Sequence, residues 1–177
     1  LLFVNSWPDS LFVTIFMSEE GYVLMGLDPG YGRMGFGVVF VNAGKVELVD
    51  YGVMVTTSGD AFENRLLSLA NDLGDLFTHH KPHAVAVEKL FFGKSSSTAM
   101  RVAEARGVAL LMAAQSGTPV FEFTPAQIKK AMTGNGNATK AVMQNMVKDL
   151  LRLPKPPKPD DAADALAAAI TMANKKW

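Results

Sequence analysis

The chain has 177 residues, 49% hydrophobic and 19% charged, which fits one globular domain with a sizeable core. It contains no cysteine, so neither disulfides nor thiolate chemistry can carry its fold or function. The formal net charge of zero hides an asymmetry: residues 1–88 carry four Lys/Arg against eleven Asp/Glu, and residues 89–177 carry thirteen against six, a basic half suited to a polyanionic partner.

Residues 1–16 are apolar, but Pro8 and Asp9 interrupt them and no basic region precedes them, which argues against a secretory signal. No stretch is long enough to cross a bilayer, and a cytoplasmic location without membrane attachment is expected. Met17-Ser18-Glu19-Glu20 resembles a natural start. Residues 1–20 are therefore expected to be an extension outside the fold, with one domain over residues 21–177.

Val23 to Leu27 form an apolar run that predicts a strand buried on both faces, closed by Asp28 and a Pro29-Gly30 turn. A carboxylate at the end of a buried strand must be solvated, paired or bound to a metal; it can also simply cap the turn. Gly30-Tyr31-Gly32-Arg33-Met34-Gly35 matches GxGxxG, but a dinucleotide site needs a helix next, and Phe36 to Val41 read as a strand. The glycines instead point to tight turns and close backbone approach beside Asp28. Asn42 to Lys45 turn the chain into a third strand over Val46 to Val55, an antiparallel meander.

Asp60 and Glu63 predict a capping-box start for a helix whose apolar residues run from Leu66 to Phe77 and which ends near His79-His80, before Pro82. With His83 these imidazoles suggest a metal site, but histidines in a last helical turn are favoured by the helix dipole alone. His83 to Glu88 then repeat the opening pattern, a short apolar strand ending in an acid. If the two strands are parallel neighbours, Asp28 and Glu88 share one edge of the sheet, where α/β proteins place their ligands.

Gly93-Lys94-Ser95 superficially matches a P-loop, but the upstream glycine position holds Glu88. What remains is a loop in which Phe91 or Phe92 can engage a base and Lys94 a phosphate. A long helix over Thr98 to Gln115 carries Arg101 and Arg106, and Val120 to Phe123 form a fifth strand. Thr124-Pro125-Ala126-Gln127 opens a short helix with Lys129 and Lys130, and Ala138 to Arg152 form another with Lys140. Seven basic residues and one acid lie between Lys129 and Lys158, a solvated face or a phosphate-tracking surface. After the proline run from Pro154 to Pro159 comes the last helix, opening on Asp160 and Asp161. Asp164 lies one turn on, sharing a face with both.

Four clustered carboxylates cannot all stay ionised without cations. Two Mg²⁺ ions would neutralise them, and such a pair suits displacement at phosphorus. With the basic half and the loop aromatics, the residues themselves predict a metal-dependent nuclease.

From about Val23 to Met172 the chain resembles the RuvC Holliday-junction resolvases of the RNase H-like fold. The resemblance rests on Gly26-Leu27-Asp28-Pro29-Gly30, Ala86-Val87-Glu88 with Phe91, Ala105-Arg106-Gly107-Val108-Ala109, and Asp161-Ala162-Ala163-Asp164-Ala165-Leu166-Ala167. It implies an α/β fold with a five-stranded mixed sheet in the order 3-2-1-4-5, strand 2 antiparallel to the rest and helices flanking it. It implies a homodimer that nicks opposing strands of a four-way DNA junction in recombination and repair, working with the RuvA–RuvB branch-migration complex. Asp28, Glu88, Asp161 and Asp164 would be the catalytic ligands of two Mg²⁺, with Mn²⁺ as the alternative. Spacing leaves the choice between Asp160 and Asp161 open, and the family pattern favours Asp161. Phe91 would engage an unpaired base, and Lys129 and Lys140 would serve catalysis or phosphate binding. Competing readings are a related nuclease acting on RNA or an RNA–DNA hybrid, and an ATPase-like domain, which needs more chain than this.

Overall fold

The computed structural model describes residues 21–90 and 96–174. The elements are β1 (Tyr22–Asp28), β2 (Arg33–Asn42), β3 (Lys45–Val55), α1 (Phe62–His80), β4 (Ala84–Glu88), α2 (Ser96–Gln115), β5 (Val120–Phe123), α3 (Pro125–Thr133), α4 (Lys140–Leu150) and α5 (Asp160–Ala173). The strands form one sheet in the order β3-β2-β1-β4-β5. β2 runs antiparallel to both β1 and β3, while β1, β4 and β5 are parallel. This is the mixed sheet that the resemblance implied.

Alternation along the strands divides the core in two. Leu24, Ala84 and Ala86 face one layer with α3, α4 and α5. Met25, Leu27, Val85 and Val87 face the other with α1 and α2. Helix α5 lies against the middle of the sheet. Its residues from Ala162 to Met172 are buried except Asp164, and its small alanines leave room for a close approach. The sheet meets it with glycines: a Cβ on Gly26 would overlap the Ala165 carbonyl oxygen, and a Cβ on Gly35 the Asp161 carbonyl. Gly26 pairs with Gly37, whose own Cβ would sit 2.7 Å from Leu166. Glycines therefore set the depth and position of α5, as the sequence suggested for those beside Asp28.

Local signals mostly held. Thr124 and Gln127 form the expected capping box, the Gln127 N–H donating to the Thr124 hydroxyl at 3.1 Å and the Thr124 N–H to the Gln127 Oε1 at 2.8 Å. The start of α1 differs: its N-cap is Ala61, with no side-chain cap bond. Asp60 falls one residue too early, where its N–H closes a turn onto the Thr57 carbonyl at 3.2 Å. Helix α4 begins at Lys140 rather than Ala138, because the Thr139 hydroxyl supplies the cap, accepting from the Val142 N–H at 3.4 Å. The histidines serve separate contacts. His80 reaches Asp50 at 3.1 Å, and the His83 Nδ1 accepts from the Val23 N–H at 3.1 Å.

Candidate active site

The two strand-end acids arrive by register. Asp28 has the parity of Leu24 and Gly26, so it projects on the α5 side of the sheet, opposite Gly35 of β2. Glu88 has the parity of Ala84 and Ala86 on the neighbouring parallel strand, one step past the Leu27–Val87 pair, and projects to the same side. The first turn of α5 rests on Gly35 and brings Asp161 and Asp164 over this edge. Three elements distant in sequence thus deliver acids to one edge of the sheet.

Their electrostatics record the crowding. Burial pushes the Asp28 carboxyl up to about 8, reinforced by the charges of Glu88, Asp164 and Asp161 and opposed by Lys140. Glu88 is raised by burial and by Asp164, against Lys129 and Lys140. Asp164 is raised by burial, against its hydrogen bond from Lys140. The outer acids are held by cations. Arg33 Nη2 meets Asp161 at 2.8 Å, and Lys140 Nζ meets Asp164 at 3.0 Å and Asp160 at 3.5 Å. Burial works to lower the Lys140 ammonium, but the hydrogen bond and charge of Asp164, with Asp160, raise it.

With Asp161 turned to Arg33 and Asp164 to Lys140, no three acid or imidazole side chains among the described residues are gathered around one point. The donor set itself fits a hard divalent cation: it is all oxygen, and three of its carboxyls are raised above their ordinary range, by burial first and by neighbouring acids second. A cleft of about 200 Å³ opens beside it, lined by Glu88, Lys129, Lys140 and Asp164 among others. Lys129 and Lys140 therefore stand at the acids.

The other predicted DNA contacts are spread more widely. Lys130 is exposed on α3. Arg101 on α2 lies over the rings of Phe62, at 5.2 Å, and Tyr31, at 5.9 Å. Tyr31 is fixed from below by Arg65, whose Nη2 donates to the Tyr31 carbonyl at 3.3 Å and whose Nε donates to the Thr56 hydroxyl at 2.9 Å. Phe91, Phe92 and Lys94 lie outside the described residues.

Arg33 was missed from the sequence. It stands five residues past Asp28, where the β1–β2 turn folds the chain back beside that acid, and it was the only basic residue near it in an acidic half.

A mixed sheet in this order, with helices on both faces and acids at the ends of the parallel strands β1 and β4, is the arrangement of the RNase H-like class. The family model for crossover junction endodeoxyribonuclease RuvC matches residues 24–172, and the chain belongs to that family. It is 47% identical over 152 residues to the crossover junction endodeoxyribonuclease RuvC of Ruminiclostridium cellulolyticum, covering 86% of this chain and 92% of that protein. It is 51% identical over 146 residues to that of Roseiflexus sp., covering 82% and 87%. Among solved structures, T. thermophilus RuvC in complex with Holliday junction substrate matches with a TM-score of 0.82 and 36% identity, over 86% of this chain and 93% of that one. No helix among the described residues is long and apolar enough to cross a membrane.

Proposed function

We propose that this chain resolves four-way DNA junctions by symmetric nicking of two opposing strands, with Asp28, Glu88, Asp161 and Asp164 holding two Mg²⁺ or Mn²⁺ ions. The observation that carries this reading is the convergence of Asp28, Glu88 and Asp164 from β1, β4 and α5, close enough that Glu88 and Asp164 add to the proton affinity of Asp28 and Asp164 to that of Glu88. Bound ions would supply a water of lowered pKa and neutralise charge on the leaving oxygen. Asp28, whose carboxyl burial raises to about 8, would release its proton on holding them. Lys129 and Lys140 line the cleft with Glu88 and Asp164 and hold the backbone phosphate there. Lys130, Arg101 and Lys94 contact phosphates, and Phe91 or Phe92 engages a base. The nuclease domain spans residues 21–177. RuvA–RuvB is the partner that the family membership suggests.

Incubation with a labelled four-way junction tests the assignment. Paired, symmetric nicks are expected with Mg²⁺ and none in EDTA, with an RNA–DNA hybrid left whole. A cut hybrid and an intact junction would replace this reading with the hybrid nuclease. Lys129→Ala and Lys140→Ala should each lower the slope of log affinity against log salt by about one and weaken binding alike across junction sequences. Unchanged slopes would leave both lysines as solvated surface.

Symmetric nicking calls for two active sites, and a homodimer supplies them. Helix α2 offers a face for a second copy, with Met100 and Leu111 63% and 56% exposed and Gly107 between them, where a Cβ would meet nothing within 4 Å. Sedimentation should show a dimer for the wild type and a monomer for Leu111→Arg. A dimeric Leu111→Arg would move the interface elsewhere.

A further inference from the structure

Asp160 is the acid that the proposed metal site does not use, and it is the most heavily partnered. Gln144 Nε2 donates to its Oδ1 at 3.0 Å, Lys158 Nζ reaches the same oxygen at 2.6 Å, and Lys140 Nζ lies 3.5 Å from its Oδ2. Lys140 and Gln144 are four residues apart on α4, as Asp160 and Asp164 are on α5, so each pair shares a helix face. The two faces meet, and Lys140 Nζ bridges Asp160 to Asp164, which it approaches at 3.0 Å. The Lys140 side chain is 53% exposed. A lysine so exposed samples many rotamers unless something restrains it.

We infer that Asp160 is a positioning residue: by gripping Gln144 and Lys158 it fixes its own carboxylate, and that carboxylate holds the Lys140 ammonium beside Asp164, where the scissile phosphate arrives. The inference rests on the nuclease reading above for what Lys140 does. Asp160 also joins α4 and the end of the proline-rich segment to the first turn of α5. Its carboxylate therefore works through a lysine and binds no ion itself.

The experiment is a double-mutant cycle of wild type, Asp160→Ala, Lys140→Ala and the double variant. It is read by single-turnover cleavage of a four-way junction, by Mg²⁺ titration and by urea unfolding. Asp160→Ala should slow cleavage about three- to fivefold, the scale of an exposed ion pair, and should cost nothing further once Lys140 is alanine. The Mg²⁺ concentration for half-maximal rate should stay within about twofold of wild type, since Asp160 carries no metal. Asp160→Asn, which keeps an acceptor oxygen for the lysines, should recover part of the rate. Losses that multiply in the double variant, or a tenfold rise in the Mg²⁺ requirement of Asp160→Ala, would overturn the inference. A wild-type chain that leaves the junction whole would instead overturn the nuclease reading. The urea midpoints would then still decide whether Asp160 and Lys140 are coupled: a non-additive cycle supports the grip and an additive one removes it.

Discussion

Asp28→Asn should abolish junction cleavage, by at least about a thousandfold, while leaving metal-free junction binding at or above the wild-type level. The substitution keeps the size of the side chain and removes the charge that an ion would neutralise. The basic surface is untouched, and one repulsive charge toward DNA is gone. The same change has an opposite effect on stability. The folded protein holds the Asp28 proton up to about pH 8, whereas an unfolded chain releases it near the ordinary value of about 4. The native state thus binds more protons between these limits, and stability falls as pH rises through that window. Glu88 and Asp164, also raised, act in the same direction. Metal-free wild type should therefore unfold more easily at pH 8 than at pH 5. Asp28→Asn should flatten this slope and raise the pH 8 melting temperature by about 5 °C. Mg²⁺ should restore the wild type at pH 8, and the concentration it needs should rise as pH falls, because the proton and the ion compete for one site. An active Asp28→Asn would remove Asp28 from the chemistry, and a stability that climbs from pH 5 to pH 8 without metal would contradict the crowding of the acids.

Much of this site was legible in the sequence because strands are simple to read. A buried run that ends in an acid fixes where the side chain lies along the strand, so Asp28 and Glu88 share one edge of the sheet once their strands are parallel neighbours. The helix acids were harder. Asp160 and Asp161 are neighbours whose side chains project about 100° apart around the axis, and either would serve until the side of α5 that meets the sheet is known. The seat on Gly35 supplies that fact: it places the Asp161 backbone on β2 and turns Asp160 toward Lys140 and Gln144. Arg33 was hidden for a similar reason, since its pairing with Asp161 depends on how α5 crosses the β1–β2 turn. The sheet order came from the family resemblance, because patterning alone does not say which strands neighbour one another. The start of α1 was misread because a good capping residue one position early is indistinguishable, in sequence, from one that caps.

Gly35→Ala should damage catalysis far more than a single methyl group suggests. The added carbon would overlap the Asp161 carbonyl, which is backbone in the first turn of α5 and cannot rotate away as a side chain would. The helix end must lift, and it carries Asp161 and Asp164 with it. Overpacking of this kind costs about 1–3 kcal/mol, which a domain of this size can absorb and stay folded. The loss of cleavage should exceed about a hundredfold, since catalytic groups displaced by an ångström lose rate on that scale. Gly26→Ala presses on the Ala165 carbonyl and the Ala169 nitrogen, deeper along the same helix. It should lower the urea midpoint at least as much. Gly59→Ala, whose Cβ meets nothing within 4 Å, controls for the chemistry of the substitution and should match wild type. The ratio of the two losses is informative: at Gly35 activity should fall much further than the unfolded fraction accounts for, because the strain enters where the acids are mounted. A Gly35→Ala protein with wild-type cleavage would mean that the first turn of α5 yields without moving Asp161, and the glycine seat would then have no part in placing the helix acids.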